Sequence, residues 1–186
     1  MPEIGDSDVE DAERWAANAD REKQAWEATL EDMQAMAEDL EAEGWDTVAT
    51  AAGHTAPESP EAGDYDRFGL THVVPDNFAE AFTDAFSVGD FPQFEVYRAE
   101  QDGRVFLVTV LMDPDARQAI LLAGTYELRH ALGCVKAAEE AGEMYTHVVT
   151  LDQTHLGSFR HDSHEKFFPD RATVENWAID PERRDD

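Results

Sequence analysis

Four of the seven histidines, His147, His155, His161 and His164, fall in one short stretch near the C-terminus. Imidazole titrates near neutral pH and is the commonest metal ligand, so chemistry is sought there first. Strand geometry prunes the set: His155 and His161 would stand ~20 Å apart on one extended strand, too far to share an ion. If Asp152-Gln153-Thr154 is a three-residue loop, Leu151 faces His155, His147 faces Phe159 and Tyr145 faces His161. His147 and His161 are then diagonal neighbours on one face, roughly 7–8 Å apart between backbones. A two-residue loop sends them to opposite faces instead. On the first register Tyr145, His147, Arg160 and His161 make a ligand-binding set. His147, His161 and His164 make a metal set if the chain turns after Asp162. No glutamate stands where a hydrolytic zinc site needs one. Arg160 either offers a planar fork of donors to a small anion or serves as an internal ion-pair partner.

The other reactive side chains point to less. Cys134, four residues after His130, is either half of a thiolate–imidazole pair or a small buried filler among Leu132, Val135, Ala137 and Ala138. As the single cysteine it excludes an intramolecular disulfide and any multi-cysteine metal site. Ala123-Gly124-Thr125 is no phosphate cradle, Gly157-Ser158-Phe159 is no nucleophile elbow, and no glycine-rich nucleotide loop occurs, so no cofactor is expected. Carboxylates are so numerous that paired acids carry no diagnostic weight.

The elements that must position these groups are legible from periodicity. A long helix is expected over Ser7–Glu43, opened by a capping-box spacing at Ser7 and Glu10 and closed by Gly44. Ala12, Trp15, Ala19, Trp26, Leu30, Met33, Ala37 and Leu40 form one apolar stripe on it. Such a helix runs roughly 55 Å, longer than a small domain is wide. It either breaks near Asn18–Asp20 or lays its outer half on another subunit, with Trp15, Ala19, Trp26 and Leu30 as interface candidates. Strands are expected at Trp45–Ala51, Phe68–Val74, Phe94–Glu100, Arg104–Met112, Gln118–Gly124, Tyr145–Leu151 and Leu156–His161. The stretch His54–Asp66, with prolines, a glycine and several acids, reads as an exposed loop. Helices are expected from Asp76 to Phe86, burying Phe78, Phe82 and Phe86, and from Tyr126 to Ala141. The fold class is α+β: a long N-terminal helix, then a mostly antiparallel sheet of about seven strands with two further helices. The implied division is an acidic helix over 1–44, an α+β domain over 45–169 and a polar tail over 170–186.

Composition sets the surroundings. The chain holds 42 Asp and Glu against 14 Lys and Arg, a formal net charge of −28 on 186 residues. Acids outnumber bases throughout, as for general surface solvation. At molar salt the Debye length is about 3 Å and such a surface hardly repels itself, which predicts a halophilic cytoplasm. With 42% of residues apolar, the chain has a core to bury rather than the signature of disorder. No basic stripe exists to release counterions from a nucleic-acid backbone, so direct nucleic-acid binding is not expected. No apolar run approaches the ~20 residues that span a bilayer. The opening Met-Pro-Glu-Ile-Gly-Asp lacks a basic region and hydrophobic stretch, so no membrane association and a cytoplasmic location are expected.

The segments Glu143–His147, Thr154–Asp162 and Phe167-Phe168-Pro169, with Val105–Thr109 and Leu121–Gly124, resemble an uncharacterised haloarchaeal family classed as a domain of unknown function. The resemblance runs from about Trp45 to Pro169, with the acidic helix in front. It implies a halophilic source but no catalytic residue, substrate or cofactor. The first functional reading is a non-catalytic binding or protein-interaction domain, a homo-oligomer or partner-bound form contacting through the N-terminal helix. The second is a small enzyme with a histidine-based site on the C-terminal hairpin.

Overall fold

A computed structural model describes residues 6–60 and 67–178. Among them are four α-helices and eight strands in two four-stranded sheets. α1 (Asp6–Ala42) is unbroken through Asn18–Asp20, and Gly44 follows it at φ +91°. The side chain of Ser7 lies outside the described ones, as do residues 61–66 and 179–186 of the expected loop and tail.

The first sheet has the order β1 (Asp46–Ala51), β6 (Gln118–Glu127), β5 (Arg104–Asp113), β4 (Gln93–Gln101). β4, β5 and β6 form the expected antiparallel meander, while β1 runs parallel to β6. The β4–β5 turn, Asp102-Gly103, has both residues at positive φ (51° and 81°). That conformation matches the twist of a two-residue hairpin. The second sheet has the order β2 (His54–Glu58), β3 (Gly69–Val74), β7 (Met144–Thr150), β8 (His155–His161). Here β3 and β7 are the parallel pair, with antiparallel neighbours on either side.

The two faces of the first sheet sort by residue parity, as pleating requires. Val108, Val110, Ala119, Leu121 and Ala123 pack against Trp26, Leu30, Met33, Ala37 and Leu40 of α1. Leu107, Leu111, Ile120 and Leu122 face inward and share a core with Leu70, Val74, Met144, Val148 and Phe159 of the second sheet. The molecule is therefore layered helix, sheet, sheet. α2 (Ala79–Val88) closes one part of the inter-sheet core with Phe82 and Ala85, and α3 (Leu132–Ala141) closes another with Cys134, Val135 and Ala138. Of the three phenylalanines expected to be buried, Phe82 is in the core and Phe78 and Phe86 pack against it partly buried: Phe82 and Phe86 stack at 5.6 Å and both meet the Phe159 edge.

Three expectations are corrected. The strands form two mixed sheets rather than one mostly antiparallel sheet, because the apolar meander buries both faces and needs a cover on each. β2 lies inside the stretch read as a loop. Its sequence HTAPE has no apolar alternation, and it is a strand because Thr55 and Pro57 pair with His72 and Leu70 of β3. A proline is tolerated there because β2 is an edge strand. Finally, α4 (Arg171–Trp177) occupies part of the expected tail, anchored by the fully buried Val174.

Candidate functional site

The β7–β8 hairpin decides which histidines meet. Thr150 N–H bonds to Thr154 carbonyl and Gln153 N–H to Thr150 carbonyl. The turn is thus a three-residue loop over Leu151–Gln153, one position earlier than the sequence predicts, with Gln153 at φ 70°. A bulge follows: Val149 pairs with His155 while Val148 pairs with Gly157, so Leu156 is the extra residue. Beyond it, His147 stands opposite Ser158, Tyr145 opposite Arg160 and Met144 opposite His161.

This register separates the expected pair. His161 turns inward, where its Nε2 is 2.8 Å from Thr146 Oγ1 and its ring lies between Phe94 and Phe167. Burial pushes its pKa down to about 4. His147 lies on the outer face, and His164 sits elsewhere beside Glu139 and Phe168. His147, His161 and His164, the expected metal set, are not brought together. Of the expected ligand set, Tyr145, His147 and Arg160 share the outer face and His161 faces the other way. Among the described residues no group of three His, Cys, Asp or Glu side chains is placed to hold a metal ion. Arg160 is an ion-pair partner: its Nε donates to Glu143, which also accepts from Tyr145 Oη at 2.9 Å.

What the outer face does assemble is a different set. Arg67, Phe68, Glu143, Tyr145, His147, His155 and Ser158 line an open cleft of about 420 Å³. A smaller recess beside it shares Arg67, His147 and His155 and is bordered by Thr71, Val149 and Glu58. Ser158 Oγ is 2.7 Å from His147 Nδ1 and 2.7 Å from His155 Nε2. His147 Nε2 is 3.0 Å from the Phe68 carbonyl. A carbonyl can only accept, so Nε2 carries the hydrogen and the Nδ1 lone pair accepts from the Ser158 hydroxyl. Ser158 oxygen then accepts from His155 Nε2–H. One chain of donors runs from His155 through Ser158 and His147 to the Phe68 carbonyl, with each donated hydrogen used once.

Local sequence explains the placement. Gly69 follows Phe68 at φ +136°, and a Cβ there would lie 2.3 Å from the Tyr145 carbonyl oxygen. Only glycine lets β3 begin so close to β7, which brings the Phe68 carbonyl onto His147. Tyr145 and His147 lie two apart on one strand with rings parallel at 5.7 Å, and Phe68 meets Tyr145 edge-on at 5.4 Å. Burial is the first cause of the lowered pKa of His147 and of His155, and the nearby Arg67 charge adds to it in both. Both shifts favour the neutral ring.

Sequence reasoning placed Tyr145 and His147 in this region and missed Phe68, Arg67 and Ser158. Ser158 carries no motif, and the Gly157-Ser158-Phe159 context is that of an ordinary strand. Phe68 joins through the β3–β7 pairing across 79 positions. Cys134 is settled as core: it is buried, and desolvation pushes its thiol up to about 12.

An α+β protein of helix, sheet and sheet with a His–Ser–His cleft on its outer face is the class these features define. The chain belongs to a family of unknown function, DUF7529, whose sequence model matches residues 12–169. No curated protein and no solved structure matches it. No helix among the described residues is long and apolar enough to cross a membrane.

Proposed function

We propose that the protein binds a small organic anion with a flat apolar part, and does so in the high-salt cytoplasm its composition predicts. The observation that carries this is the convergence of two aromatic rings, two imidazoles, a hydroxyl and an arginine on one open cleft. Phe68 and Tyr145 offer the flat apolar surface. Arg67 lines the cleft and brings positive charge to it, which suits a carboxylate, and Glu143 is held by Arg160 and Tyr145. Such pockets, apolar with a few convergent polar groups, are the usual form of small-molecule sites.

The test is titration of the ¹⁵N-labelled protein with benzoate and, separately, benzylamine in about 2 M KCl, a salt level that screens long-range charge. Benzoate is expected to shift amides of β7, β8 and Phe68, and Tyr145→Ala to abolish those shifts. Equal binding of benzylamine, or shifts that survive in Tyr145→Ala, would sink the reading.

A second reading concerns the outer half of α1. Every residue from Val9 to Arg21 is exposed, Trp15 at 79%. We propose that this arm contacts the arm of a second copy, with Trp15 and Ala19 at the seam and salt screening its acids. Trp26 and Leu30, the other interface candidates, pack on the first sheet of their own chain.

A further inference from the structure

We propose that Ser158 is a nucleophile activated by His147, and that the cleft cleaves a small carboxylic ester. This rests on the cleft being a ligand site and names the ligand's chemistry: the anion it holds is the product acid. The geometry that carries it is the donor chain ending on Ser158. A serine hydroxyl is a weak nucleophile unless a base takes its proton as it attacks, and that base must lie within hydrogen-bond reach and itself be oriented. His147 Nδ1 is 2.7 Å from Ser158 Oγ, and the Phe68 carbonyl 3.0 Å from Nε2 holds the ring in the one tautomer that accepts. Ser158 lines the cleft rather than the core. His155 Nε2 approaches the same oxygen from a second direction, which fixes the hydroxyl rotamer toward Nδ1.

The reaction balances with water as the only co-reactant. Ser158 Oγ bonds to the ester carbonyl carbon while its proton passes to His147 Nδ1. The carbon–alkoxy bond breaks, and the Nδ1 proton goes to the departing alcohol, leaving an acyl-serine. Water then adds to the acyl carbon and gives a proton to Nδ1. The Oγ–carbon bond breaks, Oγ recovers that proton, and the carboxylic acid is released. The imidazolium formed at each step keeps its Nε2–H on the Phe68 carbonyl.

The experiment is labelling of the full chain in about 2 M KCl with an alkyl fluorophosphonate, followed by peptide mapping. Phosphonylation with loss of fluoride is expected at Ser158 and not at Ser59, Ser87 or Ser163, which serve as internal controls. His147→Gln keeps a donor for Phe68 but no base, and is expected to slow labelling by about 100-fold or more, the usual weight of a positioned general base. Circular dichroism verifies that each variant is folded. Ser158 labelling no faster than the control serines, or equally fast in His147→Gln, overturns the proposal. Benzoate titration of Ser158→Ala separates the two readings: retained binding with unlabelled wild type leaves a ligand site without acyl transfer, and loss of both removes the site altogether.

Discussion

At the residue scale, the most consequential side chains outside the cleft are the inward-facing histidines. His72 is fully buried over Gly124, where a Cβ would lie 2.5 Å from Thr55 Oγ1 and 2.9 Å from the His72 ring. Its Nδ1 lies 3.0 Å from Thr55 Oγ1, and its Nε2 has no partner among the described residues. The cheaper tautomer donates from Nδ1 and leaves Nε2 as a bare lone pair, since an orphaned N–H costs more. A second proton would put that N–H in the core, and burial pushes the pKa down to about 4. A histidine whose folded pKa lies below its unfolded value of about 6.5 binds its proton more tightly when unfolded. Its contribution is complete above pH ~6.5 and is lost as pH falls towards 4, about 3 kcal/mol for His72. His161 acts in the same direction. Urea melts at pH 7 and pH 5 are therefore expected to show a clear loss of stability before the carboxylates titrate. His72→Leu is expected to be less stable at pH 7 but to lose less on going to pH 5; a drop equal to wild type's would refute the assignment. Gly69→Ala is expected to cost about 2 kcal/mol or more through backbone strain alone, and to lose the cleft's NMR response to benzoate with it.

The element scale belongs to α1, whose two halves should respond oppositely. Met33 and Ala37 are buried against the first sheet, and Trp26 packs beside them. Met33→Ala is expected to cost about 2–4 kcal/mol in urea unfolding, the range for emptying a buried site. Trp15 touches no core, and Trp15→Ala is expected to change monomer stability by less than about 0.5 kcal/mol. Its effect should appear in sedimentation velocity instead, as loss of a dimer formed in concentrated KCl. A wild-type chain that sediments as a monomer at every salt concentration would remove the arm-to-arm contact. The β7–β8 hairpin carries the other lesson of this scale. A regular strand sends His155 and Ser158 to opposite faces, since they are three apart; the extra residue Leu156 brings them to one face.

For the whole molecule, the net charge of −28 is the governing quantity. Between about 0.1 M and 2 M KCl the Debye length falls from about 10 Å to a few ångströms, removing carboxylate repulsion. The unfolding temperature is expected to rise by about 10 °C or more over that range, since each kcal/mol is worth roughly 2–4 °C in a chain of this size. A flat midpoint would count against the halophilic reading. The ion pairs of Arg98, Arg104, Arg160 and Arg171 all lie near the surface, where each contributes little.

Properties set by short-range periodicity or by summed composition were legible without coordinates. The long helix, its inner apolar stripe, the β4–β6 meander, the phenylalanine ladder of α2 and the acidic surface each follow from neighbours a few residues apart or from counting. The tertiary structure alone decided what depends on pairing between distant segments. β2 is a strand only because β3 lies beside it, and the two parallel pairs join strands far apart in sequence. The site turned on a turn displaced by one position and a single bulged residue. Side chains alternate with a period of two: displacing the turn moved the register by two and kept the faces, whereas the bulge moved it by one, sent His147 and His161 to opposite faces and put Ser158 opposite His147, where Phe159 was expected.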